Sequence, residues 1–74
     1  MNELFLSEEV YPLNAVKMAV NAFSEIAAIT VEEGNSVLIC SFNMLKSIPV
    51  DICMSEFENY LIDLINSEKL YETD

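Results

Sequence analysis

The sequence predicts an α+β domain folded as a two-layer sandwich, with its elements in the order strand, helix, strand, strand, helix. Three observations carry this. Apolar residues between Tyr11 and Ala28 recur at helical spacing. Two alternating runs meet across Gly34-Asn35, as in a hairpin. A second helical stripe occupies the last third of the chain. Period 3.6 and period 2 are distinct signatures, so the two kinds of element separate cleanly. Two helices covering one face of a three-stranded sheet is the simplest way to bury their apolar sides.

The first element is a short strand within Asn2 to Val10. Leu4 and Leu6 point to one face and Phe5 to the other. Glu8 and Glu9 end the run and lie just ahead of the first helix, where negative charge meets the positive end of its dipole. The helix is expected from Tyr11 to Ala28. Leu13, Val16, Val20, Phe23 and Ala27 form its core stripe, and Pro12 suits the first turn, where a missing N–H is harmless.

Ile29 to Glu33 is the next strand, with Ile29 and Val31 on one face and Thr30 and Glu32 on the other. Gly34 and Asn35 tolerate positive φ and make the turn. Ser36 to Phe42 returns. It is apolar on both faces, Val37 and Ile39 against Leu38, Cys40 and Phe42, which marks a central or covered strand. Asn43 to Met54 reads as an irregular segment, because Pro49 excludes a central strand. Its Met44, Leu45, Ile48, Val50, Ile52 and Met54 need cover, either as a plug at one end of the core or as a surface offered to a partner. The second helix is expected from Ser55 to Leu70. Ser55 and Glu58 have capping-box spacing, and Phe57, Leu61, Leu64 and Ile65 form the stripe. Lys69 falls near the C-terminal end, where a cation is favoured, and Tyr71 to Asp74 are expected to fray.

This order is that of a ferredoxin-like chain lacking its last strand. In that arrangement the absent strand would have lain beside the first, so the first strand is expected to be an open edge that another chain can pair with. Candidate partner-binding residues are therefore Leu4, Phe5 and Leu6 on that strand. The apolar segment adds Met44, Leu45, Ile48, Val50, Ile52 and Met54.

Residues 1–74 make one small domain. A chain this short is marginally stable alone, yet 53% of its residues are hydrophobic, a surplus that points to burial against another chain. Net charge is −10, from 13 acidic residues and 3 lysines. That is the opposite of a nucleic-acid binder's footprint, and it disfavours anionic membrane surfaces. A basic protein or peptide is the electrostatically natural partner.

The chain holds two cysteines and no histidine. A Cys–His nucleophile is excluded, two thiols fall short of a zinc or iron–sulfur ligand set, and a single glycine cannot build a phosphate loop. Glu8 with Glu9 and Glu32 with Glu33 are adjacent and splay apart, so they read as solvated charge. No enzyme activity, cofactor or metal is expected. MNELFLSEE is acidic where a secretory signal would be basic, which leads to the expectation of a cytoplasmic protein with reduced thiols. Cys40 reads as a small core residue. Cys53 precedes the expected helix start, where a thiolate gains some support, but packing is the better reading.

Several stretches together resemble the HxsD family. They are the helix entry Tyr11-Pro12-Leu13-Asn14-Ala15-Val16, with Ala19 and Phe23 further along, the hairpin VEEGNSVLI, and the acidic-aromatic entry Glu56-Phe57-Glu58-Asn59. HxsD proteins are small accessory proteins of His-Xaa-Ser type radical-SAM peptide-maturation systems. The resemblance implies a non-catalytic role in maturing a ribosomally synthesised peptide, through binding to the maturase, its precursor peptide, or both. It transfers no site residues. A homodimer through the open edge is a further expectation. The alternative is an acidic self-associating inhibitor, antitoxin-like, that binds a basic protein.

Overall fold

A computed structural model describes the backbone of residues 2–72 and the side chains of residues 2–67. The chain forms β1 (Glu3–Ser7), α1 (Leu13–Ala22), β2 (Ala27–Glu33), β3 (Val37–Met44) and α2 (Val50–Glu72). The expected element order holds. The strands make one sheet in the order β1-β3-β2, antiparallel at both pairings. The strand apolar on both faces is the central one, as its pattern required. Both helices pack on the face that carries Leu6, Ile29, Leu38, Cys40 and Phe42.

Each strand contributes alternate residues to that face. Leu6, Leu38, Cys40 and Phe42 are buried, as are Ala27 and Ile29. From α1 come Ala15, Val16 and Ala19, whose small side chains let the helix backbone lie close to the sheet. From α2 come Cys53, Phe57 and Leu61. Phe57 sits edge-on to Phe42 of β3, with ring centroids 5.2 Å apart, and to Phe23 at the end of α1, at 5.4 Å. Tyr60 closes the cluster against Phe23 at 5.8 Å. Edge-to-face contacts of this kind add about 0.5–1.5 kcal/mol each beyond the area they bury.

Several element boundaries differ from expectation. The first helix ends at Ala22, not Ala28. The Phe23 carbonyl accepts from both Ile26 N–H and Ala27 N–H at 2.9 Å, and the chain reverses there. Ala27 and Ala28 then pair with Met44 and Asn43. Ala27 fits a helical stripe with Phe23 and an alternating one with Ile29 equally well. The backbone groups at the end of β3 need partners, and this decides between them.

The segment from Asn43 to Met54 is mostly regular, not irregular. Asn43 and Met44 complete β3, residues 45–49 turn the chain, and Val50 starts α2. Pro49 stands just before the helix, and its carbonyl accepts from Cys53 N–H at 3.1 Å. Pro12 does the same for α1 through Val16 N–H, also at 3.1 Å. Ser55 and Glu58 therefore lie inside α2 and cap nothing, because the amides there already have partners in the preceding turn. α2 runs two residues past Leu70. Lys69's side chain, and the fraying expected at the chain end beyond Glu72, fall outside the described residues.

In the hairpin, the residue with positive φ is Ser36 at 59°, while Gly34 has an ordinary φ. Residues 34–36 form a three-residue loop that ends in a left-handed position. Gly34 is there for space: a Cβ would stand 3.0 Å from Val37 Cγ1.

Two measurements check this account. Phe57→Ala removes the ring shared by both helices and the sheet and is expected to cost about 3–5 kcal/mol, against a total of about 4–11 kcal/mol for a domain of this length. Urea unfolding should then lose its cooperativity or shift its midpoint down by at least about a quarter, whereas Phe5→Ala should stay within about 0.5 kcal/mol of the parent. Ser36→Gly relieves the left-handed strain and is expected to raise stability by about 0.5 kcal/mol in the same assay.

Candidate partner-binding surface

The nine candidate residues separate into three groups. Leu6 is a core residue, 2% exposed. Leu4, Met44, Val50 and Met54 are partly buried and pack against the core. Phe5, Leu45, Ile48 and Ile52 are exposed. Phe5 stands at 61% exposure on the sheet face away from the helices. Leu45 and Ile48 lie in the turn before α2, and Ile52 is on the solvent side of its first turn, 53% exposed. Val50, Cys53, Met54, Phe57 and Leu61 continue a single helical stripe through the former loop. This explains why half of that apolar segment turns inward.

Phe5 pairs with Ile39, and Ser7 pairs with Val37. These four side chains share the open face of the sheet, since residues directly opposite each other point the same way. Ile39 in turn faces Glu32 of β2, and Ser41 lies between Glu3 and Thr30. The open face thus has a small apolar centre of Phe5, Val37 and Ile39 with carboxylates at its sides. Sequence periodicity assigned Val37 and Ile39 to one face, but not to the same one as Phe5, because that depends on strand register. Val10, Met18 and Ile62 are also exposed. They lie apart on the β1–α1 turn, α1 and α2, and nothing in the sequence singled them out.

The direction of the backbone groups on β1 follows from the bonds at its ends. Phe42 N–H donates to the Asn2 carbonyl at 2.8 Å, and Glu8 N–H donates to the Ser36 carbonyl at 3.1 Å. Even-numbered residues of β1 therefore face β3. Successive residues alternate, so Glu3, Phe5 and Ser7 turn their N–H and C=O groups away from the sheet. The Ser7 carbonyl is occupied, accepting from Val10 N–H at 3.1 Å and Tyr11 N–H at 2.8 Å. The N–H groups of Glu3, Phe5 and Ser7 and the carbonyls of Glu3 and Phe5 remain as an outward ladder.

Glu3 and Glu9 are exposed and Glu8 partly so, which makes this edge acidic. Lys17 lies on α1 and Lys46 in the turn before α2. Among the described residues no group of three or more His, Cys, Asp or Glu side chains could hold a metal ion. Among the described residues no helix is long and apolar enough to cross a membrane.

Both cysteines are free and buried. Burial pushes the Cys40 thiol up to about 11, and burial also raises Cys53. A helix start does not stabilise the Cys53 thiolate, because the side chain points into the core beside Phe57 rather than toward the terminus.

Comparison with protein-family models, with curated proteins and with solved structures finds no match to this chain.

Native alkylation tests the thiol assignment. Neither cysteine should react with iodoacetamide at pH 7.5 until denaturant is added. The unfolded chain sheds the Cys40 proton near its ordinary value of 9.0, while the folded chain holds it to about 11. Stability contributed by this group is thus complete below pH 9 and is lost as pH rises toward 11. The fall in urea midpoint over that range should be shallower in Cys40→Ala.

Proposed function

We propose that this protein is a non-catalytic, cytoplasmic accessory protein of a ribosomal peptide maturation system, related to the HxsD family. It would bind a radical-SAM maturase, its precursor peptide, or both. The observation that carries the proposal is the open edge of β1. Three backbone donors and two acceptors there have no partner strand, and an exposed phenylalanine lies beside them. A sheet edge of this kind recognises another chain by adding it as a strand, with main-chain hydrogen bonds for affinity and neighbouring side chains for selection.

Further support comes from the order of elements. A strand-helix-strand-strand-helix chain with its third strand central is what a ferredoxin-like fold leaves when its last strand is absent. The missing strand's place is beside β1. The quoted helix-entry, hairpin and α2 stretches carry the likeness to HxsD proteins. Residue chemistry favours a non-catalytic role, since no Cys–His or Ser–His pair can be built from a chain without histidine and both thiols are buried.

The net charge of −10 favours a second reading, an acidic inhibitor that caps a basic protein. Such a role wants carboxylates gathered on one surface. Here exposed acids lie on β1, on the hairpin, on α2 and in the turn after α1.

Calorimetry of the purified protein against the maturase and the precursor encoded beside it is expected to give a saturable complex with at least one of them. Binding to neither removes the proposal. Binding instead to a small basic toxin or nuclease encoded alongside establishes the second reading.

A further inference from the structure

We propose that the free edge of β1, and not that of β2, receives an extended basic segment of a partner chain, with Glu3 and Phe5 selecting it. The proposal deepens the accessory-protein reading by naming the docking edge and the chemistry of what docks there.

Both outer strands have unpaired edges, so the choice needs an argument. Leu45 N–H donates to the Ile26 carbonyl at 2.8 Å, and Gly34 N–H donates to the Val37 carbonyl at 2.7 Å. Even-numbered residues of β2 therefore face β3, and Ala27, Ile29, Val31 and Glu33 face outward. Ala27 N–H is already bonded to the Phe23 carbonyl. The side chains at the outward positions of β2 lie on the helix side of the sheet, where Ile29 is only 8% exposed, Ala27 is fully covered, Val31 is partly buried and Glu33 is exposed. A strand added there would find no exposed apolar side chain beside it, only the partly buried Val31. On the open face β2 shows Ala28, Thr30 and Glu32.

At β1 the relation is reversed. The outward backbone groups belong to Glu3, Phe5 and Ser7, whose side chains lie on the open face. The Phe5 ring stands beside the unpaired groups and is itself exposed. An added strand would bond to Phe5 and cover its ring at the same time. On the helix side of the same edge, Leu4 is only partly buried and keeps some apolar surface for a guest side chain.

Charge decides between a second copy and a different partner. Two copies pairing through this edge would bring together Glu3, Glu8 and Glu9 from each, on chains that each carry −10. Like charges directly opposite on paired strands are destabilising. Protein edges are commonly guarded by lysine; this one carries glutamates instead, which repel its own kind and attract cations. A lysine or arginine opposite Glu3 pairs with its carboxylate, and the side-chain stem of a neighbouring one covers the Phe5 ring. The guest therefore alternates: basic residues on the open face, small apolar residues on the helix face beside Leu4.

The test uses a blocked peptide of alternating lysine and valine, seven residues long, with the full chain. Amide exchange and chemical shifts are read by NMR. Saturating peptide should slow exchange at Glu3, Phe5 and Ser7 at least tenfold and leave Ile29 and Val31 unchanged. Phe5→Ala, a substitution at an exposed site, should weaken binding at least fivefold. N-methylation of the peptide amides that face β1 keeps its charge, so it should abolish protection if backbone pairing is the cause and leave binding intact if the attraction is only electrostatic. A glutamate–valine peptide should not bind. Protection appearing on β2 instead, equal binding of the acidic peptide, or β1 protection that grows with protein concentration alone would overturn the proposal. No maturase is present in this experiment. Peptide binding with no maturase or precursor binding removes the accessory reading alone; the converse removes the edge assignment alone.

Discussion

Phe57 holds the two layers together. Its ring meets Phe42 from the central strand on one side and Phe23 from the end of α1 on the other, both edge-on. No other side chain in the aromatic cluster touches the sheet and both helices in this way. The rest of the core mixes large aliphatics with small residues, among them Ala15 and Ala19 on α1, Ala27 on β2, Cys40 on β3 and Cys53 on α2. A cluster of edge-on rings suits a short domain, because it concentrates contact area where the three elements converge.

The same geometry explains why the helices enter as they do. In each half a strand ends, four residues turn the chain, a proline follows, and the helix starts at once. Proline fixes its own φ and offers a carbonyl to the fourth residue on, so the first turn closes without a side-chain cap. The entry is rigid on both sides of the molecule. Val16 and Cys53, each the fourth residue after its proline, are both buried, and the entry starts α2 early enough for Cys53, Phe57 and Leu61 to form an unbroken stripe.

With both helices on one face, the other face and both edges stay open. Open edges invite uncontrolled pairing, and this chain counters that with negative charge. The two edges are not equivalent. At β2 the outward backbone positions have their side chains on the helix side, with Ala27 and Ile29 buried; at β1 they have them on the open face, with the exposed Phe5 among them. An exposed aromatic ring thus stands beside the unpaired backbone at the β1 edge and not at the β2 edge. The choice of β1 as the proposed docking edge rests on that asymmetry.

Local pattern alone determined the class and order of the elements. The alternation of Leu4, Phe5 and Leu6, the stripe on α1 and the two-sided apolar run of β3 were all legible, because a residue's face is set by the period of its own segment. The lack of histidine-dependent chemistry was equally legible, because the chain has no histidine. Tertiary structure decided the ends of the elements. Ala27 and Ala28 became strand because the end of β3 needed hydrogen-bond partners, and Val50 to Met54 became helix because their side chains complete a stripe over the core. It also decided which candidate residues remain exposed, and which amides of β1 and β2 point outward. Those depend on register between separate segments, 30 to 38 residues apart for β1 with β3 and 5 to 17 for β2 with β3, and periodicity within one segment carries no record of the segment it will meet.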